Sequence, residues 1–257
     1  MVTEFSGGGD LRRSIALLWG LTGAGRRGPK PSRSVDEVVL AAIGVADTEG
    51  LQAVSMRRVA EALGLSPMSL YTYVPSKAEL LDLMLDHVAA EIEDPEPALE
   101  GWRAKLEHQA RQRWAMAQRH PWVMQIATHR PPLGPNVLAT AEATLRAIDG
   151  VGLDDQEIQL VSALTANYVR GAVRAALEAR EVEQQSGITD AQWWARNAEL
   201  LEGLIVPARY PNTVRVLESN KTAQELGLDP EASFEFGLQR VLDGIEVFVA
   251  SRCSGTA

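Results

Sequence analysis

The chain has 257 residues, 46% hydrophobic and 23% charged, and a formal net charge of −9. This is enough for one large or two modest domains with a true core, in the composition range of soluble globular proteins. A single cysteine, Cys253, excludes intramolecular disulfides and thiolate metal clusters and fits a reducing, cytoplasmic setting, while the acidic balance argues against a generic nucleic-acid coat.

The charge is uneven: residues 1–80 carry nine basic and eight acidic side chains, and residues 81–257 carry sixteen and twenty-six. That asymmetry suits a small nucleic-acid-reading head on a larger acidic body. In chain order, Met1 to Asp10 is Gly-rich and reads as disordered. Leu11 to Leu21 (LRRSIALLWGL) sets paired arginines before an apolar run, but that run is short and Arg26, Arg27 and Lys30 follow at once. A secretory signal is not expected; a short helix or strand docked on the body is. No run approaches the roughly eighteen apolar residues of a membrane span, so no membrane is expected among the partners.

Gly23 to Gly28 matches G-x-G-x-x-G, yet no strand precedes it and Pro29 and Pro31 follow, so it is not a dinucleotide loop. Residues 1–32 read as a flexible basic N-terminal extension, and the arm at its end, RRGPKPSR, carries Arg26, Arg27, Lys30 and Arg33 with no acid among them. Two readings stand for these four: an extended hook in a narrow A·T-rich minor groove, or a solvated linker. Ser34 to Gly50 is a helix with a Ser34/Glu37 capping box and an apolar stripe of Val35, Val38, Val39, Ala42, Ile43 and Ala46.

Ser55 to Val74, SMRRVAEALGLSPMSLYTYV, reads as two helices joined by a tight turn. Val59, Ala62 and Leu63 form an apolar stripe; Gly64 suits a left-handed helix end; Ser66 caps a second helix with Pro67 at its first position. Leu70 and Val74 point inward, leaving Pro67, Met68, Ser69, Tyr71, Thr72 and Tyr73 outward, a face almost free of carboxylates. Such a face suits a helix lying in a DNA major groove; the alternative is a plain helical hairpin in an all-α core. Ser76 and Glu79 make a capping box for a further helix to about Glu93, with Leu80, Leu81, Met84, Leu85 and Val88 inward, and Lys77 sits in its first turn, where a phosphate can be held.

The run LYTYVPSKAELL closely resembles the LYxYVxxKxxLL signature of the TetR family of transcriptional repressors, and VAEALGLS before it is similar too; the likeness extends over Ser34 to about Glu93. The resemblance implies a helix-turn-helix DNA-binding domain at 33–93 and a larger ligand-binding and dimerising domain at 98–251, an all-α homodimer released from a near-palindromic double-stranded operator by a small-molecule inducer. It assigns operator contact to Ser55, Arg57, Pro67, Met68, Ser69, Tyr71, Thr72, Tyr73 and Lys77. Arg57 has the fork that fits guanine O6 and N7, with a phosphate contact as its other reading. Tyr71 and Lys77 are expected on phosphates.

Beyond Pro95 and Pro97 the predicted helices are Trp102–Arg119, a short piece from Trp122 to Ala127, Asn136–Gly150, Asp155–Ala179, pieces around Trp193–Leu204 and Thr213–Ser219, and Ser233–Ala250; no strand is predicted. The ending FEFGLQRVLDGIE, residues 234–246, resembles the last helix of the tetracycline-repressor subgroup, and Tyr168–Ala176 falls where its partner helix lies. In the family these helices form a four-helix bundle between protomers, which implies an interface of Tyr168, Ala172, Val173, Ala176, Leu238, Val241, Leu242 and Ile245. Arg130 and Pro131 resemble that subgroup's Arg-Pro loop, but Ile126 stands where it has a magnesium-holding histidine. A magnesium–tetracycline ligand is therefore not expected; a different, largely apolar inducer is, in a pocket of Trp102, Trp114, Met116, Trp122, Met124 and Leu133 anchored by His129 and Arg130. For each apolar residue the alternative is plain core.

No cofactor or metal is expected. His87, His108, His120 and His129 have no HExxH or Cys/His spacing, and there is no G-x-S-x-G elbow or Walker loop. A protein-binding helical adaptor, or an enzyme with a site assembled from scattered residues, are the alternatives to a regulator.

Overall fold

The computed structural model describes residues 3–21, 33–219 and 229–254. They form eleven α-helices and two very short strands, and the chain divides into two compact units, residues 1–162 and 163–257.

In the first unit, α2 (Val35–Glu49) starts at the Ser34/Glu37 capping box and ends at Gly50, whose φ of 84° lies in the region that favours glycine. α3 (Met56–Leu63) is capped by the Ser55 hydroxyl and closed by Gly64 in the left-handed conformation. α4 (Pro67–Leu70) is one turn long, capped by Ser66 with Pro67 first, and passes into a turn rather than continuing as a helix. α5 (Lys77–Ala89) follows; its residues Leu80, Leu81, Met84, Leu85 and Val88 join Val38, Val39, Ala42, Ile43, Val59, Leu70 and Val74 in one core. Within α3 the buried side chains are Met56, Val59 and Ala60, whereas Ala62 is exposed and Leu63 half-buried. The core-facing stripe of α3 thus keeps Val59 and Leu63 of the expected set and takes Met56 and Ala60 in place of Ala62.

Residues 3–21 dock on the body instead of lying loose. Strand β1 (Glu4–Phe5) pairs in parallel with β2 (Ile126–Ala127), and α1 (Leu11–Leu18) lies on α5 with Ser14 and Leu18 buried. The reason is polar and sits on α5, where Asp82, 2% exposed, accepts from Ser6 Oγ at 2.7 Å, Gly7 N–H at 3.0 Å and Ser14 Oγ at 3.2 Å. Glu79 also turns to this segment. One of its oxygens accepts from the Asp10 N–H at 3.1 Å and the other meets the Ser76 hydroxyl, so the Ser76/Glu79 capping box is not formed. Such a strand cannot be read from two residues; it exists because buried carboxylates must find donors.

α6 (Trp102–Arg119) and α7 (Pro135–Ile148) pack on each other, and α7 also packs on α5. Between α6 and β2 the chain forms a 3₁₀ turn (Pro121–Gln125) rather than an α-helical piece. Asp86 of α5 accepts from the Asn136 and Val137 N–H groups at 3.1 and 2.9 Å, fixing the start of α7. The Cβ of any residue replacing Gly134 would run into that carboxylate. α8 (Asp155–Ser186) leads from this unit into the next.

In the second unit, α9 (Asp190–Glu202) has a Thr189/Gln192 capping box, and α10 (Pro211–Ser219) and α11 (Pro230–Ser254) complete the chain. Val169, Val173 and Ala176 of α8 are buried, as are Phe234, Leu238, Leu242 and Ile245 of α11. Tyr168 stacks on Phe234 and its hydroxyl donates to the Phe234 carbonyl at 2.7 Å. No helix among the described residues is long and apolar enough to cross a membrane.

Candidate nucleic-acid interface and its supports

The α3–α4 hairpin presents one continuous outer face. Arg57 extends from α3 with its side chain 82% exposed, held only by an i,i+4 pair to Glu61 at 2.9 Å. Ser55 is exposed at the helix start, where its hydroxyl accepts from the Arg58 N–H at 3.1 Å. On α4 and the turn after it, Pro67, Met68, Tyr71 and Thr72 are exposed. This apolar and aromatic surface on a one-turn helix has no role in holding the fold, because Leu70 and Val74 already carry the packing at 0% exposure.

Four of the expected contact residues have partners within the chain. Tyr73 is half-buried and packs against the core. Ser69 shares a 2.8 Å hydrogen bond with Ser66 Oγ, and Thr72 donates to the Ser69 carbonyl at 2.6 Å, so these hydroxyls also shape the turn. Lys77 stands at the N-terminus of α5, but its Nζ lies 2.7 Å from Glu4 Oε1, both side chains about one-third exposed. The docked N-terminal segment thus supplies the anion that the sequence assigned to a DNA phosphate. Arg33 pairs with Glu37 at 2.9 Å; Arg26, Arg27 and Lys30 lie outside the described residues.

Behind the hairpin, Arg58 clamps Glu49 through Nε and Nη2, fixing α3 to the end of α2. A second junction ties α2 to α5 and α6. Asp47 faces His120 Nδ1 at 2.8 Å and accepts from Trp122 Nε1 at 2.7 Å; His120 Nε2 faces Glu91 Oε1 at 2.9 Å, and Arg119 donates to Glu91 Oε2. Burial by itself would raise the Glu91 carboxyl, but the hydrogen bonds from Arg119 and His120 hold it below its ordinary value. Glu79 is likewise held low: burial opposes ionisation, and Ser76 and the Asp10 N–H outweigh it. For Asp86 burial prevails and the carboxyl is pushed up despite three hydrogen bonds.

These supports were missed in the sequence. Glu79, Asp82 and Asp86 recur at three- and four-residue spacing on an otherwise apolar helix, a signal for a buried polar face. His120 and Asp47 are far apart in sequence and carry no such signal.

The residues expected to line an inducer pocket differ widely in burial. Trp122 and Met116 belong to the core shared with α2 and α5, at 1% and 9% exposure. Trp102, Trp114 and Met124 are half-buried, and His129, Arg130 and Leu133 are exposed on the loop before α7. The Leu133 carbonyl accepts from Trp19 Nε1 at 2.9 Å, so this loop is also tied to α1. The residues expected at a dimer interface are rearranged as well. Val173, Ala176, Leu238, Leu242 and Ile245 are buried within one chain, while Tyr168, Ala172 and Val241 are half-buried. The large apolar side chains left outside are Leu160, Leu164 and Val182 on α8 and Phe236 and Val247 on α11.

Comparison with known proteins agrees with this geometry. Residues 38–84 match the model for bacterial regulatory proteins of the tetR family, and residues 94–249 match the tetracyclin repressor-like C-terminal domain. The chain is 45% identical to the HTH-type transcriptional repressor DrrR1 of Streptomyces coeruleorubidus over 97% of this chain and 91% of that one. The tetracycline repressor protein class C of Escherichia coli is 25% identical over 82% of this chain and 90% of its own. Among solved structures, apo ActR from Streptomyces coelicolor superposes with a TM-score of 0.68 at 29% identity, covering 87% of this chain and 99% of ActR. ActR in complex with actinorhodin gives a TM-score of 0.66 at 31% identity, covering 83% and 95%. The reading hairpin and the helical domain behind it are thus matched over nearly the whole sequence, and the chain belongs to the TetR family of bacterial transcriptional regulators.

Proposed function

We propose that the protein represses transcription by binding a near-palindromic DNA operator as a C2 homodimer, and that a small molecule bound behind the hairpin releases it. The observation that carries the reading is the outer face of Arg57, Pro67, Met68 and Tyr71, exposed on a hairpin whose packing does not need them. DrrR1 is a named repressor, and ActR has been solved both with actinorhodin and with (S)-DNPA, which supports repression and ligand response in this chain.

The mechanism rests on the two supports. A dimer reads two half-sites about 34–36 Å apart, or a multiple of one DNA turn. A ligand releases DNA only if it binds more tightly to the arrangement whose heads mismatch that spacing. A hundredfold loss of operator affinity needs about 2.7 kcal/mol of differential binding. The paths to the hairpin are α5, packed against α2, and the Asp47–His120–Glu91 junction.

The test is selection of duplexes from a random pool, followed by footprinting of the enriched site. A two-fold-symmetric protected site, with half-sites at that spacing, is expected. Failure to enrich any duplex over the starting pool would overturn the reading and leave the hairpin as a protein-binding surface.

A further inference from the structure

Lys77 opens α5, six positions after the exposed Tyr71 at the end of the hairpin. Its ammonium stands at a helix start, where backbone N–H groups already favour negative charge. In the free protein an anion is seated there: Glu4 Oε1 lies 2.7 Å from Lys77 Nζ. A pair at the surface contributes little when two long, free side chains must be ordered to make it. The backbone of Glu4, however, is fixed from both sides. Glu4 sits in β1 opposite Ile126, with the Thr3 N–H donating to the Gln125 carbonyl at 2.9 Å and the Ser6 N–H to the Ala127 carbonyl at 3.0 Å. The next two residues are anchored on α5 itself, since Ser6 Oγ and the Gly7 N–H both donate to the buried Asp82.

The rest of the segment is held as firmly. The Asp10 N–H bonds Glu79, Ser14 Oγ bonds Asp82, Leu18 is buried, and Trp19 Nε1 donates to the Leu133 carbonyl. Residues 3–19 are therefore a strap that grips the chain before α7 at two places, 125–127 and Leu133, and grips α5 between them. None of these bonds uses the Glu4 side chain. A β-branched residue would suit a strand better than a glutamate, and a carboxylate beside a surface that meets a polyanion opposes that meeting. The one contact that the Glu4 side chain makes among the described residues is with Lys77.

We propose that Glu4 is an internal substitute for a DNA phosphate. It neutralises Lys77 in the free protein and must give up the ammonium before the operator backbone takes it, so the strap holds the head's affinity for DNA below what the head would reach alone. This rests on the operator-binding reading above. While Glu4 holds Lys77, a phosphate arriving there meets a carboxylate as well as an ammonium, and that lysine releases no counterion. Because β1 is bonded to residues 125–127, whatever shifts Ile126 and Ala127 shifts Glu4 with them. The strap thus gives the helical domain a hold on DNA affinity that bypasses the packing of α3 and α4.

The test titrates the operator enriched by selection, at several salt concentrations, with the wild type, Glu4→Gln, Lys77→Met and the double variant. Glu4→Gln keeps the length and hydrogen-bonding end of the side chain and removes only its charge. It should bind about three- to tenfold more tightly at about 0.1 M salt, with the slope of log affinity against log salt steeper by about one. The gain should disappear once Lys77 is gone, so that Lys77→Met and the double variant bind within about twofold of each other. Affinity unchanged or weakened in Glu4→Gln would overturn the proposal. So would a gain that persists in full beside Lys77→Met, which would make Glu4 one negative charge among many. Binding by the wild type with no change in Glu4→Gln sinks this inference alone. Failure of all four proteins to bind any duplex sinks the operator-binding reading and this inference with it, whereas binding seen only in Glu4→Gln supports both.

Discussion

Arg57 and Arg58 are neighbours on α3, yet only one is spoken for. Arg58 is clamped on Glu49, whereas Arg57 rests in an exposed i,i+4 pair that contributes little and is easily exchanged for a base edge. Arg57→Ala should cost about 1–3 kcal/mol of discrimination at one operator base pair while leaving the fold intact. Quantitative binding to single-base operator variants checks this, and an unchanged preference at every position would remove Arg57 from the reading surface. At the other end of the head, Glu91 makes a prediction about pH. Its carboxyl is held below the ordinary 4.5, so the folded state binds its proton more weakly than the unfolded chain. The resulting stability is present above that ordinary value and is lost as pH falls through the lowered folded value. Glu91→Gln should therefore flatten the acid limb of the stability curve, as read from urea midpoints between neutral pH and about pH 3. Asp86 has the opposite sign: its carboxyl is raised by burial, so its ionisation costs stability at neutral pH and that cost fades on acidification.

At the scale of elements, α5 is a helix buried nearly all round whose polar residues each serve a neighbour. Asp82 and Glu79 hold the N-terminal segment, and Asp86 holds the start of α7. Deleting residues 1–20 removes the donors of Asp82 and the apolar contact of Leu18, and should destabilise the protein by about 1–3 kcal/mol for the hydrogen bonds. It also frees Lys77 from Glu4. The choice between a minor-groove hook and a solvated linker for Arg26, Arg27 and Lys30 must therefore be tested by substitution, not truncation. A triple change to alanine should weaken binding most at operators flanked by A·T tracts and leave the thermal midpoint unchanged. Equal loss at all flanks would mark these residues as ordinary phosphate-attracting charges.

For the whole molecule, the assembly prediction moves from the buried stripe to the face left outside it. Leu164, Phe236 and Val247 are 50%, 66% and 72% exposed, and glycines at 171 and 244 have open space beside them where a second helix could approach. Phe236→Asp with Val247→Asp should convert the dimer to monomer in sedimentation at micromolar concentration without lowering helical content. A wild type already monomeric there, with operator present, would remove the dimer altogether.

Local signals explain what could be read in advance. The capping box at Ser34, the left-handed Gly64, the Ser66–Pro67 helix start and the inward Leu70 and Val74 depend on residues within a few positions of each other, so sequence specified them. The family likeness was legible for the same reason, since the matching residues 38–84 are one contiguous segment. The N-terminal segment docked on α5, the Lys77–Glu4 pair and the Asp47–His120–Glu91 junction were decided only by the tertiary structure. Each depends on polar groups tens of residues apart meeting where water is excluded, and a buried charge reveals its role only once its partners, or their absence, are known.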